Sequence, residues 1–291
     1  MNCPSCGRPV AMARASCLYC GGALSAETVA RAEKSRAATF APEARREDRA
    51  LVVVRLEGAT AGALAAALGL SAYEAGQWSR GGGWRLIRAA APAEAEADRE
   101  RLAAQGLTAF VLDEAATREA AEPLAAQAAT FDGGALEVRT TRGAERLAPA
   151  DLLLVVKGPI AREFAARADR VKFPVTATLD PGMRLHLHTR SGARAIEIDP
   201  AEVELGAHRA GQSTLLEIAG WMDALSAHVP VDEGFRRLPP ALAPARPPRG
   251  FGRAEETPLQ AAAREGAVLD NVAQFRFYSA WRGAAERLVR R

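Results

Sequence analysis

All four cysteines of this 291-residue chain fall within its first twenty residues, at Cys3, Cys6, Cys17 and Cys20. They form two Cys-x-x-Cys pairs with ten residues between them, and each second cysteine precedes a glycine, Gly7 or Gly21. Few patterns restrict a fold so tightly. A chain that turns sharply after each pair points two sulfurs at one ion, and glycine after the second ligand accepts the positive φ of that turn. Two such knuckles face to face make a tetrahedral four-sulfur site. Val10, Leu18, Tyr19 and Leu24 are the sizeable apolar groups of this stretch besides two methionines. So small a segment cannot bury a core of its own. Metal binding is expected to supply its folding free energy, on the order of 10 kcal/mol. Four thiolates leave no open coordination position, which makes the expected site structural and not catalytic.

Other uses of the same residues fit this pattern less well. Disulfides do not suit a reducing compartment. A redox pair needs one Cys-x-x-Cys beside a βαβ unit, and here there are two with no strand before either. A rubredoxin-like iron site would use the same four ligands and stays open beside Zn2+. The stretch Cys3-Pro4-x-Cys6-Gly7 … Cys17-x-Tyr19-Cys20-Gly21 resembles the short zinc ribbons at the N-termini of many bacterial proteins. That resemblance covers residues 1–24 and implies zinc as the metal.

A formal net charge of +3 is near neutral for this length and does not demand a nucleic-acid or membrane partner. The cations are 35 arginines against three lysines, with abundant alanine and glycine, a bias typical of GC-rich bacterial coding. Arginine number alone therefore says little about phosphate binding. The N-terminus has no apolar secretory core, and no apolar run reaches membrane-spanning length. A cytoplasmic location is the expectation.

Residues 25–49 read as a partly helical linker. Beyond it, Leu51 to Leu56 is a strand, Thr60 to Leu68 a helix stopped by Gly69, and Ser71-x-x-Glu74 a capping box opening a second helix. Trp84 to Arg88 is a strand, Pro92 to Gln105 a helix with proline in its first turn, and Leu107 to Leu112 a strand. The order βααβαβ over 50–115 is a compact α/β sandwich. The Gly69-Leu70-x-x-x-Glu74-Ala75 helix start, the acidic third helix and Leu102-x-x-x-Gly106 resemble the C-terminal domain of the bacterial ribosomal stalk protein. The lysine-rich factor-binding helix of that family has no counterpart here, so the resemblance implies a fold and not a role in translation.

From residue 122 the pattern turns to β. Strands are expected at 126–131, 135–141, 151–157, 171–178, 183–189, 194–198 and 202–205, followed by one amphipathic helix from Gln212 to His228. Short strands closed by a single helix, with Ala150-Asp-Leu-Leu153 opening a central strand, resemble a pleckstrin-homology-like barrel over 122–229. Residues 230–257 are proline-rich and expected to be an extended linker. Thr257-Pro258-x-Gln260 then reads as the start of a C-terminal amphipathic helix over 258–291, with Val268, Val272, Phe275, Tyr278, Trp281, Ala285 and Leu288 in one stripe. The expected fold class is therefore α+β multidomain: ribbon, βααβαβ sandwich, helix-capped β-barrel and terminal helix.

No catalytic constellation stands out. His186 and His188 share one face of a predicted strand without a cysteine or paired carboxylate at ligand spacing, and are expected on a solvated sheet face. Gly81-Gly-Gly83 lacks the Gly-Lys-Ser/Thr ending of a phosphate loop and follows a helix. Asp232-Glu233 and Glu255-Glu256 read as solubilising charges in a linker, and Pro244-x-x-Pro247-x-Arg249 as a stiff spacer before a polyproline ligand. The terminal stripe has three uses open to it: docking on the chain itself, gripping a partner groove, or lying on an anionic membrane. Phe275, Tyr278 and Trp281 are the candidate partner contacts. The sequence thus points to a non-enzymatic zinc-binding adaptor that mediates protein–protein interactions in a regulatory or assembly complex. The alternative is a nucleic-acid- or ribosome-associated factor using Arg8 and Arg14 of the ribbon.

Overall fold

The structure, a computed structural model, describes residues 49–165, 176–178, 182–192, 194–205, 212–244 and 267–290, with 5, 16 and 20–25 near the N-terminus. The chain divides into two compact units, Met1–Glu47 and Asp48–Arg291. In the first, Ser16 and Ala23 form an antiparallel bridge across the second cysteine pair. Cys3, Cys6 and Cys17 lie outside the described residues, as do residues 26–48 of the linker.

The second unit is α+β, with six α-helices and mixed sheets among the described residues. It begins with β1 (Ala50–Arg55), whose first five residues are all buried. Ala50, Val52 and Val54 face the helices that follow, whereas Leu51 and Val53 enter a second core. A strand covered on both sides must be apolar throughout, which explains the unbroken Leu-Val-Val-Val run. α1 (Ala61–Leu68) starts on Thr60, whose Oγ1 accepts from Ala63 N at 3.1 Å, and stops at Gly69 in the left-handed region. α2 (Ala72–Gly81) carries the expected Ser71–Glu74 capping box. β2 (Trp84–Ala90) and β3 (Ala109–Asp113) flank β1 antiparallel in the order β2-β1-β3, and α3 (Pro92–Ala104) connects them. The βααβαβ order is as read from the sequence. α4 (Glu114–Ala120) follows at once, capped by Asp113, whose Oδ1 accepts from Ala116 N at 2.6 Å.

The large sheet contains β4 (Leu124–Asp132), β5 (Ala135–Thr140), β6 (Gly143–Leu147), β7 (Leu152–Ile160), β10 (Gly182–Thr189), β11 (Ile196–Ile198), β12 (Glu204–Leu205) and β13 (Val231–Asp232). Its order is β13-β7-β10-β11-β4-β5-β6, with β12 added to β4. The ends of that path, β13 and β6, do not pair with each other, so the expected barrel is corrected to an open mixed sheet. β6 shows why: four of its five residues are exposed, and Arg146 pairs across to Glu137 at 2.5 Å, so the strand is built as a charged edge. α5 (Gln212–Ser226) does not plug a barrel end. It lays Ile218, Trp221, Met222 and Leu225 on the sheet face formed by Leu185, Leu187, Ile196 and Ile198.

Two further corrections concern the C-terminal part. The expected linker is structured as far as it is described: β13 pairs parallel with β7, a 3-10 turn at Gly234–Arg237 buries Phe235, and β14 (Ala243–Pro244) joins β15 (Ala267–Asp270). β15 in turn pairs with β8 (Arg162–Ala165), and β8 with β9 (Thr176–Thr178), in a four-stranded antiparallel sheet. Val268 therefore belongs to a strand and not to the terminal helix. That helix, α6, is Val272–Val289. The Thr257–Gln260 start lies outside the described residues, and the observed start is at Asp270-Asn271. Asp270 Oδ1 accepts from Val272 N at 3.1 Å, and the buried Asn271 Oδ1 accepts from Ala161 N at 2.9 Å. α6 packs against β7 of the large sheet and against β3 and α4 of the first layer.

Candidate functional site

The stretch Met183-Arg-Leu-His-Leu-His188 alternates strictly, and on a strand alternation sorts side chains onto two faces. Leu185 and Leu187 meet α5, as above. Arg184, His186 and His188 occupy the other face, which α6 covers. His186 and His188 are 1% and 2% exposed, so the expected solvated face is in fact a buried polar layer.

Glu197 organises it. It stands opposite His186 in the β10–β11 register. His186 Nε2 donates to its Oε2 at 3.0 Å, Arg276 of α6 grips both oxygens at 3.0 and 2.7 Å, and Arg184 Nη1 adds a contact at 2.7 Å. Burial alone would push this carboxyl up. The hydrogen bonds from His186 and Arg276 and the charge of Arg184 outweigh that and hold it far below the usual carboxylate range. Arg184 also pairs with Asp199 at 2.7 Å. One turn along α6, His188 Nε2 is hydrogen-bonded to Ser279 Oγ at 2.8 Å.

A second node lies beside it. Asp232 accepts from Tyr278 Oη at 2.6 Å, from Gly234 N at 2.7 Å and from Arg282 Nε at 2.6 Å. Burial first, then the neighbouring Asp232 charge and hydrogen bond, raise the Tyr278 phenol far above its ordinary value. Asp232 is thus a half-buried acceptor and not a solubilising charge. Glu233 pairs with Lys157 at 3.3 Å and Arg236 at 2.8 Å, along a shallow groove of about 420 Å³.

The carboxylates of the layer are committed to cations within it, while Arg184 Nε, His188 Nδ1 and Arg282 Nη1 are buried without a hydrogen-bond partner among the described residues. Glu197 receives donors on both oxygens and has no basicity left for proton abstraction. Ser279 and His188 stand at nucleophile–base distance, but Ser279 is fully buried and Gly283 seals the ring: a Cβ there would lie 2.4 Å from His188 Nδ1. The layer joins β10, β11, β13 and α6 rather than opening to a substrate.

Phe275, Tyr278 and Trp281, the expected partner contacts, are core side chains at 0%, 3% and 3% exposure. They pack with Leu51, Val53, Leu112, Val156 and Phe235, so in this fold they offer no surface to a partner. Self-docking is the use α6 makes of its stripe. Its arginines are also engaged internally: Arg282 with Asp232 and Glu286, Arg290 with Glu286, Arg287 with the carbonyl of Gly192. A sequence signal for the polar layer existed. Arg276, Ser279 and Gly283 recur at helical spacing beside the aromatic stripe, and they match a polar strand face with two histidines.

Of the expected metal ligands, only Cys20 is described, and it is exposed. Gly21 has φ +70°, the conformation expected after a second ligand. A Cβ on Gly22 would sit 3.1 Å from Ser5 Oγ and 3.3 Å from Cys20 Sγ, so the interior of the first Cys-x-x-Cys pair approaches the sulfur of the second. Among the described residues no cluster of three or more His, Cys, Asp or Glu is placed to hold a metal, and no helix is long and apolar enough to cross a membrane. Comparison with family models, curated proteins and solved structures finds no match to this chain.

Proposed function

We propose that this protein is a non-enzymatic adaptor whose N-terminal unit is a zinc ribbon used for protein–protein recognition in a regulatory or assembly complex. One observation carries the reading: two Cys-x-x-Cys-Gly sequences, with Gly21 at positive φ and with Ser5 Oγ and Cys20 Sγ both beside Gly22. These features fit a four-thiolate centre. Cys3, Cys6, Cys17 and Cys20 would hold the ion, and Zn2+ would supply fixed tetrahedral geometry without redox chemistry. The buried polar layer under α6, whose carboxylates are paired internally, supports an architectural role for the larger unit.

The test has two parts. Elemental analysis of anaerobically purified protein should find one zinc per chain, and Cys17→Ser should lose it. A defined partner should co-purify with the wild-type chain at stoichiometric level and be lost with Cys17→Ser. Iron in place of zinc would revise the metal. If the chain instead binds DNA or RNA with a steep log–log dependence on salt, the nucleic-acid reading replaces the adaptor.

A further inference from the structure

We infer that the seam between β10 and α6 is an acid-sensitive latch: protonation of His188 releases α6 from the large sheet and uncovers the aromatic stripe of that helix. The inference concerns the larger unit and does not rest on the metal site.

The geometry around His188 admits only a neutral ring. Nε2 meets Ser279 Oγ, as above. Nδ1 is buried and has no hydrogen-bond partner among the described residues. It lies against the backbone of Gly283, with no room even for a methyl group. A protonated imidazole is a donor at both nitrogens. Its new N–H would face that backbone without an acceptor, an expensive arrangement for a buried charge.

The charges nearby make matters worse. On β10 the neighbour is His186, with ring centroids 6.5 Å apart. From α6 come Arg282 and Arg287, both cations. The acids within the layer are already committed. Glu197 of β11 is held by His186, Arg276 and Arg184, while Asp232 of β13 and Glu286 of α6 are held by Arg282. From β7 the residue opposite His188 is Leu154, which offers no charge. Burial, then the charges of His186, Arg287 and Arg282, therefore hold the His188 imidazole well below its ordinary value.

His186 differs in one respect. Burial lowers it too, but Glu197 is there to accept its proton. Of the two rings, His188 is the one whose protonation has no compensation.

The sign follows from linkage. Unfolded or undocked, His188 titrates near 6.5; docked, it titrates lower. The undocked state therefore binds more protons in between. Docking is strongest above about pH 6.5 and weakens as pH falls toward the docked value, by up to about tenfold per pH unit. Glu197 acts in a separate window. Its depressed carboxyl adds a loss only below about pH 4.5.

Hydrogen exchange of the full chain, read on peptides covering 272–289 and corrected for intrinsic rates, tests this. Between pH 7.5 and 5.5 the opening equilibrium should rise by up to about tenfold, with Trp fluorescence changing in parallel. His188→Gln keeps an amide toward Ser279 and should flatten the dependence, whereas His186→Gln should leave most of it. Should His188→Gln fail to fold, the imidazole itself is read in the wild-type chain: by NMR of labelled histidine, the docked His188 ring should stay neutral at pH 5.5. A pH dependence unchanged in His188→Gln, or a docked His188 ring found protonated at pH 5.5, overturns the latch. So does one abolished by His186→Gln alone, or a flat wild-type profile.

Discussion

Gly283 shows how one missing methyl group decides whether an interface closes. It sits in the interior of α6, where glycine costs about 1 kcal/mol relative to alanine. The cost is accepted because the imidazole of His188 fills the space a side chain would need. Gly283→Ala should improve helix propensity and still destabilise the protein by about 1–3 kcal/mol, because the ring cannot retreat from a packed strand. Gly220 is the control. It lies inside α5 with nothing within 4 Å of an added Cβ, so Gly220→Ala should be stabilising by up to about 1 kcal/mol. Urea denaturation at pH 7.5 separates the two, and equal effects would refute the close-packing argument. Asp232→Asn makes the companion test for charge. It leaves Arg282, 6% exposed at its side chain, with only the longer contact to Glu286 at 3.4 Å, and should cost about 3 kcal/mol by the same measurement.

Elements were legible where local chemistry set them and obscure where a distant neighbour did. The helix starts at Thr60 and Ser71, the stop at Gly69 and the proline of α3 act within one turn, and the structure has them where the sequence indicates. So do the Gly133-Gly134 turn, with φ of 55° and 77° suited to a tight hairpin, and the alternation of β10. α4 was missed because its buried residues are Glu114 and Thr117, which make no apolar stripe. The solvated reading of His186 and His188 failed for a related reason: alternation tells which residues share a face, and only the partner element tells whether water covers it. Here that partner is α6, whose Arg276 lies 79 positions from Glu197 in the chain. A buried ion pair of this kind is weak evidence for stability in itself, yet breaking it from one side is costly. Glu197→Gln takes the shared partner from two cations, leaving Arg184 with Asp199 and Arg276 with the exposed Glu122, and should cost more than Arg276→Gln, which leaves Glu197 with Arg184 and His186. Thermal unfolding of the two variants at pH 7.5 checks the order.

At the scale of the whole molecule, the number of independent parts follows from which strands have two buried faces. β1 does: one face serves the βααβαβ layer, the other the core that α6 fills with Phe275, Tyr278 and Trp281. Sequence patterning separated a domain at 50–115 from one at 122–229, because each has its own run of elements. It could not show that Leu51, Val53 and Leu112 require residues 275–281 to cover them. Asp48–Arg291 is one compact unit, and it should lose cooperative unfolding when the chain is cut after Asn271, since a large part of that shared core leaves with α6. Met1–Glu47 should obey different thermodynamics. With few sizeable apolar side chains, the proposed ribbon would depend on the metal for its order, by about 10 kcal/mol if the ion is zinc. A strong chelator added to the full chain should therefore abolish exchange protection around the Ser16–Ala23 bridge while the urea transition of Asp48–Arg291 keeps its midpoint and slope. Re-addition of one equivalent of zinc should restore the protection. Protection that survives chelation, in protein shown to be metal-free, would mean that the N-terminal unit is ordered by something other than its four thiols.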